Sequence, residues 1–133
     1  MLVEAELARI IITETSGSQI VVLRELGGER SFPIVIGIFE AMAIDRHLKG
    51  IRIERPLTHD LALSIIREMG GTLESIAVND LRDNTFYAYL EVSVDGRTVR
   101  IDSRPSDALA LAVRSGARIF VEERVFDLAA PPT

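Results

Sequence analysis

Two short stretches carry an acidic side chain where a helical pattern begins: Glu40 in "IGIFEAMAI" and Asp107 in "DSRPSDALALAVRSG". Each follows a strand-like stretch and leads into alternating small and large apolar residues, which puts the carboxylate at or near a helix N-terminus. The first N–H groups of a helix lack intrahelical acceptors, so they converge at such a junction and readily hold an anion. A carboxylate there can simply satisfy those groups. That role leaves Arg104 unexplained, because a cation at a helix N-terminus opposes the dipole by a few tenths to roughly 1 kcal/mol. Arg104 therefore implies a partner, either internal, such as Asp102, or an external phosphate or carboxylate, which the guanidinium fork suits. Pro105 is helix punctuation: in the first turn it gives up an N–H that would be unsatisfied anyway.

A third stretch, "RPLTHDL" at 55 to 61, adds Arg55, His59 and Asp60. His59 stands next to Asp60 in a helix first turn, open to a ligand or general-base role as well as to that of a solvated surface residue. The other histidine, His47, falls near a helix end, where an imidazolium meets the dipole favourably. The sequence has no GxxxxGK[ST], no GxGxxG opening a helix, no GxSxG and no HExxH, so nucleotide-loop, nucleophile-elbow and zincin chemistry lack their required parts.

These residues need elements to position them. Residues 3–13 and 19–26 read as two strands joined through "TSGS", and "ELGGERSFPIVIG" adds a third, with Pro33 favouring an edge position. From Ile38 to Lys49 the period changes to that of a helix, with Ile38, Ala41, Ile44 and Leu48 on its core face, an Asp45–Lys49 pair on its surface and Gly50 as its stop. "RPLTHDLALSIIREMGG" gives a second helix, capped by Thr58 and ended by Gly70-Gly71, with Leu61, Ile65 and Met69 as its core stripe. Residues 72–103 read as three strands turning at Asp83-Asn84 and Asp95-Gly96. Residues 105–115 form a third helix, apolar all round and so buried on more than one side, and "RIFVEERVF" ends the fold as a strand or short irregular segment. Both "GGERSFPIVIG" into "EAMAI" and "DGRTVRIDS" into "DALAL" run from glycine turn to strand to acidic helix start, which suggests a degenerate internal strand–helix repeat.

The expected fold class is α+β: a mixed, largely antiparallel sheet packed with about three helices, one domain over residues 1–128 and a tail over 129–133. At 133 residues and 47% hydrophobic content, the chain can bury a sizeable core. Cysteine is absent, which excludes a disulfide framework and a thiolate nucleophile and suits a reducing, cytoplasmic setting. The N-terminal stretch carries glutamates and no cleavage pattern, and no segment approaches the roughly 20 apolar residues of a membrane span. A net charge of −5 offers a phosphate backbone no long-range attraction. Aromatic residues make up only 5%, too few for an extended base-stacking platform.

"FPIVIGIFEAMAI" at 32 to 44, "RPLTHDL" and "RPSDALALAVR" at 104 to 114 resemble, in order and spacing, the bifunctional nuclease domain family, and the likeness covers nearly the whole chain. The resemblance implies a small α+β domain, often dimeric, and nuclease activity on DNA and RNA with modest sequence demand. Some relatives carry an additional C-terminal helical module, which a chain ending at Thr133 is expected to lack. The family likeness itself assigns no active site, so the candidates come from the motif positions and their chemistry. For phosphodiester hydrolysis, Glu40, Asp60 and Asp107 are the metal or base groups, holding Mg²⁺ or Mn²⁺ to activate water, with His59 as a weaker candidate base. Arg55 and Arg104 would contact phosphate, and nucleic-acid binding would be weak and metal-assisted. A different class of function, a non-enzymatic dimeric domain binding a small anion or a partner protein, uses the same arginines and helix N-termini. The two differ in whether Glu40, Asp60 and Asp107 converge within metal-bridging distance or lie on separate faces.

Overall fold

The computed structural model describes residues 1–13, 15 and 17–129. The chain runs β1 (Leu2–Ile11), β2 (Gln19–Glu25), β3 (Ser31–Ile36), α1 (Ile38–Leu48), α2 (Thr58–Glu68), β4 (Gly71–Arg82), β5 (Thr85–Val94), β6 (Arg97–Ser103), α3 (Pro105–Ser115), β7 (Arg118–Glu122) and α4 (Glu123–Ala129). The seven strands form one sheet in the order β3-β2-β1-β7-β4-β5-β6. Every pair is antiparallel except β4 with β7, which makes the sheet mixed and the fold α+β.

The turns follow from residue type. Asp83 and Asn84 both adopt positive φ, as do Asp95 and Gly96, the backbone that suits a two-residue hairpin connection to the twist of its strands. β3 alternates buried Phe32, Ile34 and Ile36 with exposed Ser31, Pro33 and Val35. Pro33 lacks an N–H to donate, and β3 is indeed an edge strand. The other edge is β6. Each edge strand enters a helix through a single residue, Gly37 before α1 and Arg104 before α3.

α3 is the centre of the molecule. Ser106 and every residue from Ala108 to Ala112 are buried, and the helix packs against β4 and β5 on one side and α1 and α2 on the other. Its alanines allow backbones to approach closely from both layers, which is why its pattern is apolar all round. Phe32 stacks on Phe86 with centroids 5.5 Å apart and meets Phe126 edge-on at 5.3 Å, tying β3, β5 and α4 into the same core. Among the described residues no helix is long and apolar enough to cross a membrane.

Four features depart from the expectations. A fourth helix, α4, follows β7 directly, and its buried Val125 and Phe126 anchor what reads in sequence as an irregular end. Ala129 closes that helix, and the rest of the expected tail, 130–133, lies outside the described residues, as does Ser16 of the first turn. On α1, Ala41 and Ile44 are buried as expected but Ile38 and Leu48 are exposed, and Ala43 is buried in their place. On α2 the expected core stripe points outward: Leu61, Ile65 and Met69 are 52%, 53% and 77% exposed, while Ala62, Leu63 and Ile66 pack on the core. The helix carries two apolar stripes, and the one chosen is the one that reaches α3 and β4.

Candidate active site

The site forms where the first turns of α1, α2 and α3 meet. Arg104 is the N-cap of α3 in extended conformation (φ −67°, ψ 145°), and Pro105 sets the first helical residue, so Asp107 falls on the third. Arg104 folds back over that turn: its Nε donates to Asp107 Oδ2 at 2.9 Å, and its Nη2 donates to Glu40 Oε1 of α1 at 2.6 Å. The partner implied by Arg104 is thus internal, but it is the pair Asp107 and Glu40 rather than Asp102. These bonds, to Asp107 first and Glu40 second, raise the pKa of the guanidinium above its ordinary value.

Asp107 has a second partner. Its Oδ1 lies 3.0 Å from His59 Nε2, so one line of contacts, Glu40–Arg104–Asp107–His59, joins α1, α3 and α2. The Glu40 and His59 side chains are 12% and 15% exposed, whereas Arg104 is 68% exposed and keeps donor capacity facing solvent. His59 also lines an open cleft of about 570 Å³ between α1 and the start of α2.

Asp60 has a different task. One oxygen pairs with Arg114 of α3, and the other accepts the Leu57 N–H at 3.0 Å, holding the start of α2. Thr58, the expected cap, is instead the first helical residue, and Leu57 occupies the cap position. Arg55 is exposed on the connection before α2, with no ion-pair partner among the described residues, and does not join the line.

The expected divalent ion needs several oxygen donors facing one point. Here Glu40 and Asp107 are held by Arg104, Asp60 by Arg114, and no three His, Asp or Glu side chains among the described residues are grouped to hold a metal. This donor set does not fit a resident Mg²⁺ or Mn²⁺. What it fits is an imidazole oriented by a carboxylate beside an exposed guanidinium.

Two arginines of this region, Arg46 and Arg114, are not among the sequence-derived candidates. Both have a spacing signal: Arg114 lies seven residues after Asp107 and Arg46 seven after Phe39, which puts each pair on one helix face.

A family model for the bifunctional nuclease domain matches residues 21–133. An uncharacterized protein of Mycobacterium tuberculosis (strain ATCC 25618 / H37Rv) is 38% identical over 122 residues, covering 92% of this chain and 73% of that protein. Bifunctional nuclease 1 of Oryza sativa subsp. japonica is 26% identical over 109 residues, 80% of this chain and 33% of its own. Bifunctional nuclease 2 of the same plant is 27% identical over 107 residues, 77% of this chain and again 33% of its own. The chain therefore matches about a third of each rice protein and most of the mycobacterial one. With a family match that spans the three helices of the site and the sheet from within β2 onward, the chain belongs to the bifunctional nuclease domain family.

Proposed function

We propose that this domain hydrolyses phosphodiester bonds in DNA and RNA, with His59 as general base, Asp107 as the group that orients it and Arg104 as the cation facing the phosphate. The observation that carries the reading is the 3.0 Å contact between His59 Nε2 and Asp107 Oδ1 at the wall of an open cleft. In the tautomer that donates Nε2–H to Asp107, Nδ1 holds a lone pair for the proton of an attacking water. Water then forms the new P–O bond as the bond to the leaving oxygen breaks, His59 keeps the water's proton, and the leaving oxygen takes one from solvent. Arg104, fixed by two carboxylates, offsets charge growing on the phosphoryl oxygens. A water nucleophile serves DNA and RNA alike, since no 2′-hydroxyl is required.

The names of the rice relatives support the reaction class, and the net charge of −5 implies weak retention of polyanions. The direct test incubates protein from a nuclease-deficient host with end-labelled single-stranded DNA and RNA. Fragments from both are expected. Oligonucleotides retained but left intact would contradict hydrolysis and favour a binding domain.

The same proposal includes a homodimer. Leu61, Ile65 and Met69 form an apolar stripe left exposed among the described residues, and a stable pair should bury at least roughly 1,000 Å² in total. Sedimentation at micromolar concentration should give twice the chain mass, and Ile65→Glu should return it to one. A monomeric wild type would contradict the dimer.

A further inference from the structure

We propose that the cleft between α1 and the start of α2 is a subsite for one nucleotide unit of a single-stranded nucleic acid, its base on Phe39 and its phosphate on Arg46. This deepens the hydrolytic reading and rests on it for its relation to the dyad, but its own evidence is separate.

The cleft, about 570 Å³, falls within the roughly 300–1,000 Å³ usual for small-molecule sites. Part of its lining is a single face of α1, where Phe39, Met42 and Arg46 follow at the i, i+3, i+7 spacing; Pro56 and Leu57, just before α2, also line it. Phe39 is 79% exposed, a flat ring held in solvent on the first turn of a well-formed helix. Among the described residues it stacks on no other ring, whereas a nucleobase stacks on such a ring whatever its sequence.

Charge makes the second half of the case. Two arginines line the cleft, and one of them, Arg114, is held by Asp60, just as the His59 imidazole beside it is held by Asp107. Arg46 has no carboxylate within ion-pair distance among the described residues, and its buried Nε has no hydrogen-bond partner. A guanidinium partly withdrawn from water without a counter-charge is costly, and a phosphate oxygen relieves that cost. An apolar slot beside an uncompensated cation matches a base joined to a phosphate better than either part alone. A base can enter only when unpaired, which selects single strands over duplex. His59 lines the same cleft, so the bound nucleotide lies next to the dyad.

Adenosine 5′-monophosphate is a suitable probe, since it contains no phosphodiester and binding is read without turnover. Calorimetric or NMR titration should show saturable binding, tighter than that of adenosine or inorganic phosphate. Phe39→Ala and Arg46→Gln should each weaken it by about tenfold. Phe39 is outside the core, so its variant decides the matter even if Arg46→Gln folds poorly. No saturable binding, binding indifferent to Phe39→Ala, or phosphate binding as tightly as the nucleotide would overturn the subsite. Nucleotide binding by a protein that cleaves nothing would uphold it while removing the hydrolytic reading.

Discussion

Asp107→Asn is expected to slow phosphodiester cleavage by roughly 10²-fold or more while leaving the fold intact. The amide matches the carboxylate in shape but carries no charge to stabilise the imidazolium formed when His59 takes a proton. It can also present an N–H to His59 Nε2, which selects the opposite tautomer and places the lone pair on the wrong nitrogen. The structural cost is small, because the lost partner, Arg104, is 68% exposed and exposed ion pairs contribute at most about 1 kcal/mol. A melting temperature lowered by no more than about 4 °C should accompany the loss of rate. The measurement is single-turnover cleavage of a labelled single strand alongside a thermal melt. Cleavage at the wild-type rate would reduce Asp107 to a helix-start residue.

The reverse pattern is expected at Asp60. Asp60→Ala should lower stability by about 3 kcal/mol, since it leaves the largely buried Arg114 unpaired and strips the Leu57 N–H of its acceptor. Changing Arg114 to methionine in the same protein should recover a good part of that loss, because the penalty comes chiefly from the stranded cation. Urea denaturation of the single and double variants measures both effects. A loss below about 0.5 kcal/mol for the single variant would show that the pair is dispensable and free Asp60 for a role on a ligand.

The contrast between these two aspartates marks how far the sequence could be read. Both stand in helix first turns, and in sequence they look alike; what separates them is which arginine comes within reach, and that depends on how α1, α2 and α3 converge. Arg104 did signal an unseen partner, because a cation at a helix N-terminus is out of place there. The identity of that partner depends on β3 and β6 delivering α1 and α3 to the same end of the molecule, a long-range fact. α3 was legible to the residue, since Pro105 and Gly116 punctuate it and its pattern admits only burial. α2 was legible in extent but not in orientation: it carries two apolar stripes, and only packing decides between them. α4 carries no periodic signal in sequence, because its seven residues are too few to show one.

We propose that the chain's own His59 and Asp107 drive hydrolysis without a resident divalent ion. This is tested most directly by following cleavage of a labelled single-stranded oligonucleotide in excess EDTA, with His59→Ala prepared identically to control for contaminating nucleases. Wild-type cleavage that persists undiminished in EDTA, and that His59→Ala lacks, is the result expected. Cleavage that stops in EDTA and returns with Mg²⁺ or Mn²⁺ would contradict it and restore the metal-ion chemistry suggested by Glu40, Asp60 and Asp107.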